Sequence, residues 1–415
     1  MVKERVICLR KVYLKILLLK HISRTVWILS IVSLFTDMAS EMLYPIMPIY
    51  LKTIGFSVVL IGVLEGLAEA TAGLSKGYFG KLSDVSGKRV PFVRIGYAFS
   101  SISKPMMAVF VYPAWIFFAR TIDRIGKGIR TGARDAILSD EATPATKGTV
   151  FGLHRSMDTL GAVIGPALAL IYLYYYPQQY KTLFYIAFIP GLAAVFTTFL
   201  LKDKVKEKPL VKPVTPFFSF LNYWGDSPSA YKKLITGLLI FTLFNSSDVF
   251  LLLKAKQAGL TDTMVIGVYI FYNLVFAMCA FPVGVLADKL GLKRIFVFGL
   301  GVFAVVYFGM SVSTNLYLFF ALFFLYGLYA SATEGISKAW ISNITSAKDT
   351  ATAIGTYTGL QSICTMLASS LTGLIWYTLG AAAAFIITGI AAVMVMIYIM
   401  NIPAPGKKVT IATNA

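Results

Sequence analysis

The sequence predicts an all-α membrane protein with twelve transmembrane helices, six on either side of a basic linker, and both termini in the cytoplasm. Three observations carry this. Of 415 residues, 57% are apolar and only 14% are charged, against about 25% charged in a soluble domain. Mean hydropathy is +0.75, with 31 Phe and 23 Tyr. Apolar runs of about 20 residues, the length that crosses a bilayer, recur along the chain and part around a lysine-rich stretch. A cytosolic enzyme, a secreted disulfide scaffold and a disordered chain are excluded.

In order along the chain, residues 1–25 form a basic cytoplasmic N-terminus (Lys3, Arg5, Arg10, Lys11, Lys15, Lys20, Arg24) with apolar residues between. No small-residue cleavage site follows. The segment reads as uncleaved, either an interfacial helix on anionic lipid or a solvated tail. Six spans follow near 26–51, 57–79, 90–112, 114–136, 149–175 and 180–201. The cytoplasmic linker over 202–234 carries Lys202, Lys204, Lys206, Lys208, Lys212, Lys232 and Lys233. Six further spans lie near 235–257, 263–287, 292–312, 315–340, 350–378 and 381–401, and 402–415 is a cytoplasmic tail. The two span-bearing units are thus 26–201 and 235–401.

Orientation follows from charge. Lys plus Arg number 38 against 19 Asp plus Glu, a net of +19. In a soluble protein this would suggest nucleic acid; here the basic residues gather in loops that the positive-inside rule places in the cytoplasm. Only Lys52, Lys181, Lys254 and Lys256 fall on the outer side, with a few more within the spans. The partners expected are therefore the lipid bilayer, protons and a small-molecule substrate, with no nucleic acid, and the chain is expected to be a monomer in the cytoplasmic (inner) membrane. Cys8, Cys279 and Cys364 make no disulfide framework and no CxxC pair. His21 and His154 are the only histidines, so no metal site is expected. No cofactor is expected either: the chain lacks a phosphate-binding loop, which rules out ATP as the energy source, and it has no Ser/His/Asp nucleophile arrangement.

A short repeat divides the chain. Between spans two and three stands Gly80-Lys81-Leu82-Ser83-Asp84-Val85-Ser86-Gly87-Lys88-Arg89. Between spans eight and nine stands Gly284-Val285-Leu286-Ala287-Asp288-Lys289-Leu290-Gly291-Leu292-Lys293-Arg294. Both read Gly-x-Leu-small-Asp-x-x-Gly followed by basic residues, at the same place in each six-span half. Recurrence at equivalent positions marks a duplicated unit. The glycines permit the tight turn, and the Asp can cap or pair with a neighbouring helix end. We read Gly80, Asp84, Gly87, Lys88, Arg89, Gly284, Asp288, Gly291 and Arg294 as conformational gating loops.

On these residues the chain resembles the major facilitator superfamily over essentially its whole length. The repeated loop is similar to that superfamily's motif A. Arg120, twenty residues before Asp140, resembles motif B, although Arg124 stands where a glycine is usual. Gly161-Ala162-Val163-Ile164-Gly165-Pro166 resembles motif C of the antiporter branch, and Tyr44-Pro45-Ile46-Met47-Pro48 is similar to the end of the first helix in drug:proton antiporters. The resemblance implies two six-helix bundles, a central cavity, and alternating access by rocking. Gly161, Gly165 and Pro166 are then a helix-packing motif, with glycines allowing close approach.

Charges within the spans carry the functional expectation, since each costs about 2.5–3.5 kcal/mol at mid-membrane unless paired or hydrated. Asp37, Glu41, Glu69 and Asp158 are candidate proton carriers, because a carboxyl walled by apolar residues can exchange a proton near neutral pH. Asp37 and Glu41 are four apart and share a helix face. Arg120, Asp123, Arg124 and Asp248 are candidate substrate contacts. Arg130, Arg134 and Asp135 are expected to pair with the motif A loop, and Arg94 and Glu334 to be structural. The function these residues point to is proton-coupled secondary transport of a small polar or charged solute, with export favoured by the antiporter-like motifs. Proton-symport uptake of a metabolite or siderophore, efflux of lipophilic cations, and a non-transporting receptor on the same fold stand as alternatives; no enzyme activity is expected.

Overall fold

A computed structural model of the chain describes residues 22–44, 46–203, 216–313 and 315–402; within these ranges the side chains at 48–49, 52, 58–59, 61–63, 65–66, 69–70 and 262–263 are not described. The expectations for residues 1–21, for most of the linker, for the tail beyond 402 and for Pro45 therefore lie outside the described residues. So do the side chains of Pro48, Glu65 and Glu69.

The described chain is all helical. Before the linker come α1 (Arg24–Glu41), α2 (Met47–Thr53), α3 (Val58–Ser86), α4 (Val90–Val109), α5 (Pro113–Asp140), α6 (Lys147–Tyr175) and α7 (Tyr180–Thr198). After it, a 3-10 turn (Phe217–Asn222) leads into α8 (Tyr223–Asp226), α9 (Ser229–Phe244), α10 (Val249–Gln257), α11 (Asp262–Leu290), α12 (Leu292–Val312), α13 (Leu316–Ile344), α14 (Thr350–Leu379) and α15 (Ala381–Asn401). Starts are set by side-chain caps. Ser23, Ser57 and Thr261 each accept from a backbone N–H three residues on, and Asn315 from one two residues on, which satisfies donors the helix leaves open. Among the described residues, eight segments are long and apolar enough to cross a membrane: α6, α7, α9 with α10, α11, α12, α13, α14 and α15. Of the other expected spans, α1 and α5 carry too many charges to meet that measure. α5 alone holds Arg120, Asp123, Arg124, Lys127, Arg130, Arg134 and Asp135.

Two expected spans are not continuous. The run 26–51 divides into α1 and α2 across residues 42–46, and the run 235–257 divides into α9 and α10 across Asn245–Asp248. In the first the sequence has a proline at position 45, a residue type with no N–H to continue an i to i−4 ladder. In the second the residues are Asn245-Ser246-Ser247-Asp248, whose side chains compete for backbone hydrogen bonds. Ser247 Oγ accepts from Val249 N at 3.4 Å, and Ser247 N donates to Ser369 Oγ at 3.2 Å. The breaks occupy corresponding places early in each half of the chain.

The two halves of the chain meet along α3 with α14 and α6 with α11. Small residues make this approach possible. A Cβ at Gly80 would stand 2.6 Å from the Ala351 carbonyl, and one at Gly148 would stand 2.6 Å from the Gly284 carbonyl. Within the first half, α6 lies on α1 through Gly161 and Gly165. A Cβ at Gly165 would sit 2.5 Å from the Met38 carbonyl, and one at Gly161 would strike Leu34 O. Pro166 is buried on the same helix. Aromatic residues fill the second half, where Phe303 stacks on Tyr307 at 4.1 Å and Trp340 is fully buried.

Candidate functional site

The end of the helix bundle that carries the two repeated loops is tied shut by reciprocal contacts. Gly87 turns the chain with φ 67° and Gly291 with φ 102°, values glycine adopts without steric cost. Each turn leaves the preceding Asp facing a helix start in the opposite half. Asp84 Oδ2 accepts from Thr352 N at 2.7 Å and Thr352 Oγ1 at 2.9 Å, at the start of α14. Asp288 accepts from Gly148 N at 2.7 Å and from Thr149 N and Oγ1 at 2.7 and 2.6 Å, at the start of α6. A carboxylate there meets unpaired N–H donors and the positive end of the helix dipole, worth about 0.3–2 kcal/mol. Burial pushes the Asp84 carboxyl above its ordinary range, while Arg89 and the Thr352 donors pull it back.

Arg89 binds the first loop to its surroundings. It donates to Asp84 at 2.8 Å, to Asp140, and to the Ala347 carbonyl at 3.2 Å. Its own backbone N–H and that of Val90 donate to Asp203 at 3.0 and 2.9 Å. Lys88 and Arg294 are exposed.

Arg134 and Asp135 differ from expectation in their partners. They bind each other at 2.9 Å, and Asp135 pairs across the halves with Lys338 of α13 at 2.8 Å, not with the repeated loop. The reason is position: Asp135 sits a turn deeper than Asp140, level with Lys338. Arg130 donates to Ser100 Oγ at 2.5 Å and lies over the Tyr97 ring at 4.5 Å. Further ties cross here. Arg155 pairs with Glu334, and Lys147 donates to the Ser342 carbonyl at 2.6 Å. Arg94 donates to the Leu201 carbonyl at 2.9 Å, within the first half.

Deeper in the bundle, Asp37 of α1 and Asp158 of α6 are close neighbours. They are brought together by the glycine-lined contact just described, with the Asp37 Cβ 3.1 Å from the Cβ position of Gly161. Asp158 also accepts from Ser33 Oγ and pairs with Arg155 at 2.5 Å. One turn on, Glu41 accepts from Tyr269 Oη of α11 at 3.3 Å. Asp248, at the break before α10, accepts from Tyr326 Oη and Tyr272 Oη at 2.6 Å each.

Arg120, Asp123 and Arg124 form a separate knot within the first half. Lys104 reaches Asp123 at 2.8 Å, with Arg120 at 3.8 Å and Arg124 at 4.0 Å; Lys104 and Asp123 are buried. The site thus holds Asp37, Asp158, Glu41 and Asp248 around the middle of the bundle, with Asp123 engaged to one side. Sequence reading noted Arg155 as a charge in a span and Tyr272 as a residue that could face a cavity, and left out Lys338 and Tyr326. Tyr272 and Tyr326 look like any of the 23 tyrosines, and only folding brings them to Asp248.

A profile of the Major Facilitator Superfamily matches residues 29–278 and 234–415. The uncharacterized MFS-type transporter MJ1317 of Methanocaldococcus jannaschii is 32% identical over 365 residues, 86% of this chain and 89% of that relative. The uncharacterized MFS-type transporter YqjV of Bacillus subtilis is 28% identical over 179 residues, 42% of either chain. Among solved structures, the human organic anion transporter MFSD10 superposes with a TM-score of 0.75 at 15% identity, over 91% of this chain and 99% of that one. The Escherichia coli fucose:proton symporter FucP superposes at 0.72 with 11% identity, over 90% and 97%. At such identities the solved structures bear on the fold alone. With helices, duplicated loops and profile in agreement, the chain belongs to the Major Facilitator Superfamily and is a secondary transporter, not an enzyme.

Proposed function

We propose that the chain couples proton movement to the passage of a small polar or charged solute by alternating access between two six-helix bundles, 26–201 and 235–401. The loops around Asp84 and Asp288 face the cytoplasm in this reading, the linker and both termini lie on the same side, and the protein works as a monomer in the inner membrane. The observation that carries it is the reciprocal tie at the loop end. Asp84 caps a helix of the second half and Asp288 a helix of the first, so one motion breaks both. Asp37 and Asp158, with Glu41 and Glu69, are the proton carriers. The position of Asp158 supports this: it lies beside Asp37 and pairs with Arg155, which also reaches Glu334 across the interface. Export is favoured by the Gly161–Pro166 motif; uptake by proton symport is the alternative.

Purified protein in liposomes with an internal pH dye tests the reading. Solute-driven proton movement is expected to vanish in Asp37→Asn and Asp158→Asn, while both variants remain folded by size exclusion. Proton movement at the parent rate in both would remove the carrier assignment.

A further inference from the structure

We infer that the tyrosine box at the Asn245–Asp248 break binds an ammonium group bearing at least one N–H, so that the solute is an amine or a zwitterion presenting one. This names the solute class for the transport reading above and rests on it.

The box is built from α11, α13 and the break itself. Tyr272 and Tyr326 each donate a hydroxyl to one oxygen of Asp248. Their rings stand 5.3 Å apart, Tyr269 meets Tyr272 edge-on at 5.6 Å, and Tyr329 lies 5.3 Å from Tyr326. Tyr272, Tyr326 and Tyr329 are buried, while Asp248 is only half-buried. Asn245 donates through Nδ2 to Tyr329 Oη at 3.0 Å. In that orientation Asn245 Oδ1 is buried with no donor. A buried acceptor without a donor calls for a partner.

Charge narrows the partner. Among the described residues, no Lys or Arg stands within ion-pair distance of Asp248. Neutral tyrosine hydroxyls stabilise the carboxylate without cancelling its charge, and each oxygen keeps a lone pair. Glu41 reaches the same box through Tyr269, from the end of α1 at the corresponding break in the first half. Two carboxylates, an unsatisfied amide oxygen and aromatic faces exclude an anion and leave a neutral alcohol without its charge complement. An ammonium supplies positive charge, N–H donors for Asp248 and Asn245 Oδ1, and favourable contact with tyrosine faces. A bare alkali cation needs a shell of several oxygen lone pairs, and here two of the nearest oxygens already point their protons at Asp248.

Isothermal titration of the purified full-length protein with benzylammonium, benzyl alcohol and benzoate tests this, because the three share one skeleton. Benzylammonium is expected to bind at least about thirtyfold more tightly than either analogue, and Asp248→Asn to weaken it by about thirtyfold, the lower range for removing a buried charge partner. The double variant Tyr272→Phe/Tyr326→Phe keeps the rings and the carboxylate and is expected to bind at least as tightly, with its melting profile as the folding control. Equal binding of benzyl alcohol, unchanged affinity in Asp248→Asn, or displacement by sodium chloride but not by N-methylglucamine chloride would overturn the ammonium site. Binding through Asp248 without proton movement in liposomes would uphold the site and remove the coupling reading. Proton movement driven by another solute with no ammonium binding would do the reverse.

Discussion

Asp123 shows how a charge in a span can be held by its neighbours. Lys104 is 2.8 Å away and itself buried, and Arg120 and Arg124 stand at 3.8 and 4.0 Å, so removing Asp123 takes the carboxylate from all three cations. A stranded buried charge costs about 3–5 kcal/mol, whereas replacing both by apolar residues is often neutral. We therefore expect Asp123→Ala to lower the thermal unfolding midpoint sharply and Lys104→Met/Asp123→Leu to recover part of it; a double variant as unstable as the single would refute the pairing. The loop carboxylates are expected to act differently. Asp84→Asn loses the charge that meets Arg89 but keeps an acceptor for Thr352. It should slow turnover severalfold while leaving solute affinity within about twofold; unchanged turnover in liposomes would end the gating role.

Helix pairs follow from small residues placed where backbones must touch. Because a Cβ at Gly80 would meet Ala351 O at 2.6 Å, Gly80→Val should prop α3 from α14. Transport is expected to fall by at least about tenfold while benzylammonium still raises the melting midpoint, and normal transport would show that the contact is dispensable. The duplicated loops were legible in the sequence because a short pattern with fixed spacing recurs, and Gly87 and Gly291 are needed locally. The break after Glu41 was half legible through Pro45. The break at Asn245–Asp248 was not, because four polar residues vanish in the mean hydropathy of a 23-residue run, although their side chains are what unwinds it. Partners across the halves were the least legible. Thr149 and Asp288 are separated by 139 positions, Lys338 and Asp135 by still more, and nothing local links them.

At the level of the whole protein, the proposed cycle has the ties at the loop end hold one of two arrangements. Asp84 with Thr352, Asp288 with Thr149, Asp135 with Lys338 and Arg155 with Glu334 all join the first half to the second. α6 and α14 both begin at that end and run to the other, where Tyr176 and Tyr377 are exposed. Rocking requires the two ends to move in opposite senses. The decisive experiment places spin labels in a variant with Cys8, Cys279 and Cys364 replaced by Ser, one pair at Lys88 and Ser346 and another at Tyr176 and Tyr377. Interlabel distances are then measured in liposomes with and without solute at acid and alkaline pH. The Lys88–Ser346 distance is expected to lengthen in the condition where the Tyr176–Tyr377 distance shortens. Distances that stay fixed, or that lengthen together at both ends, would contradict alternating access through these ties.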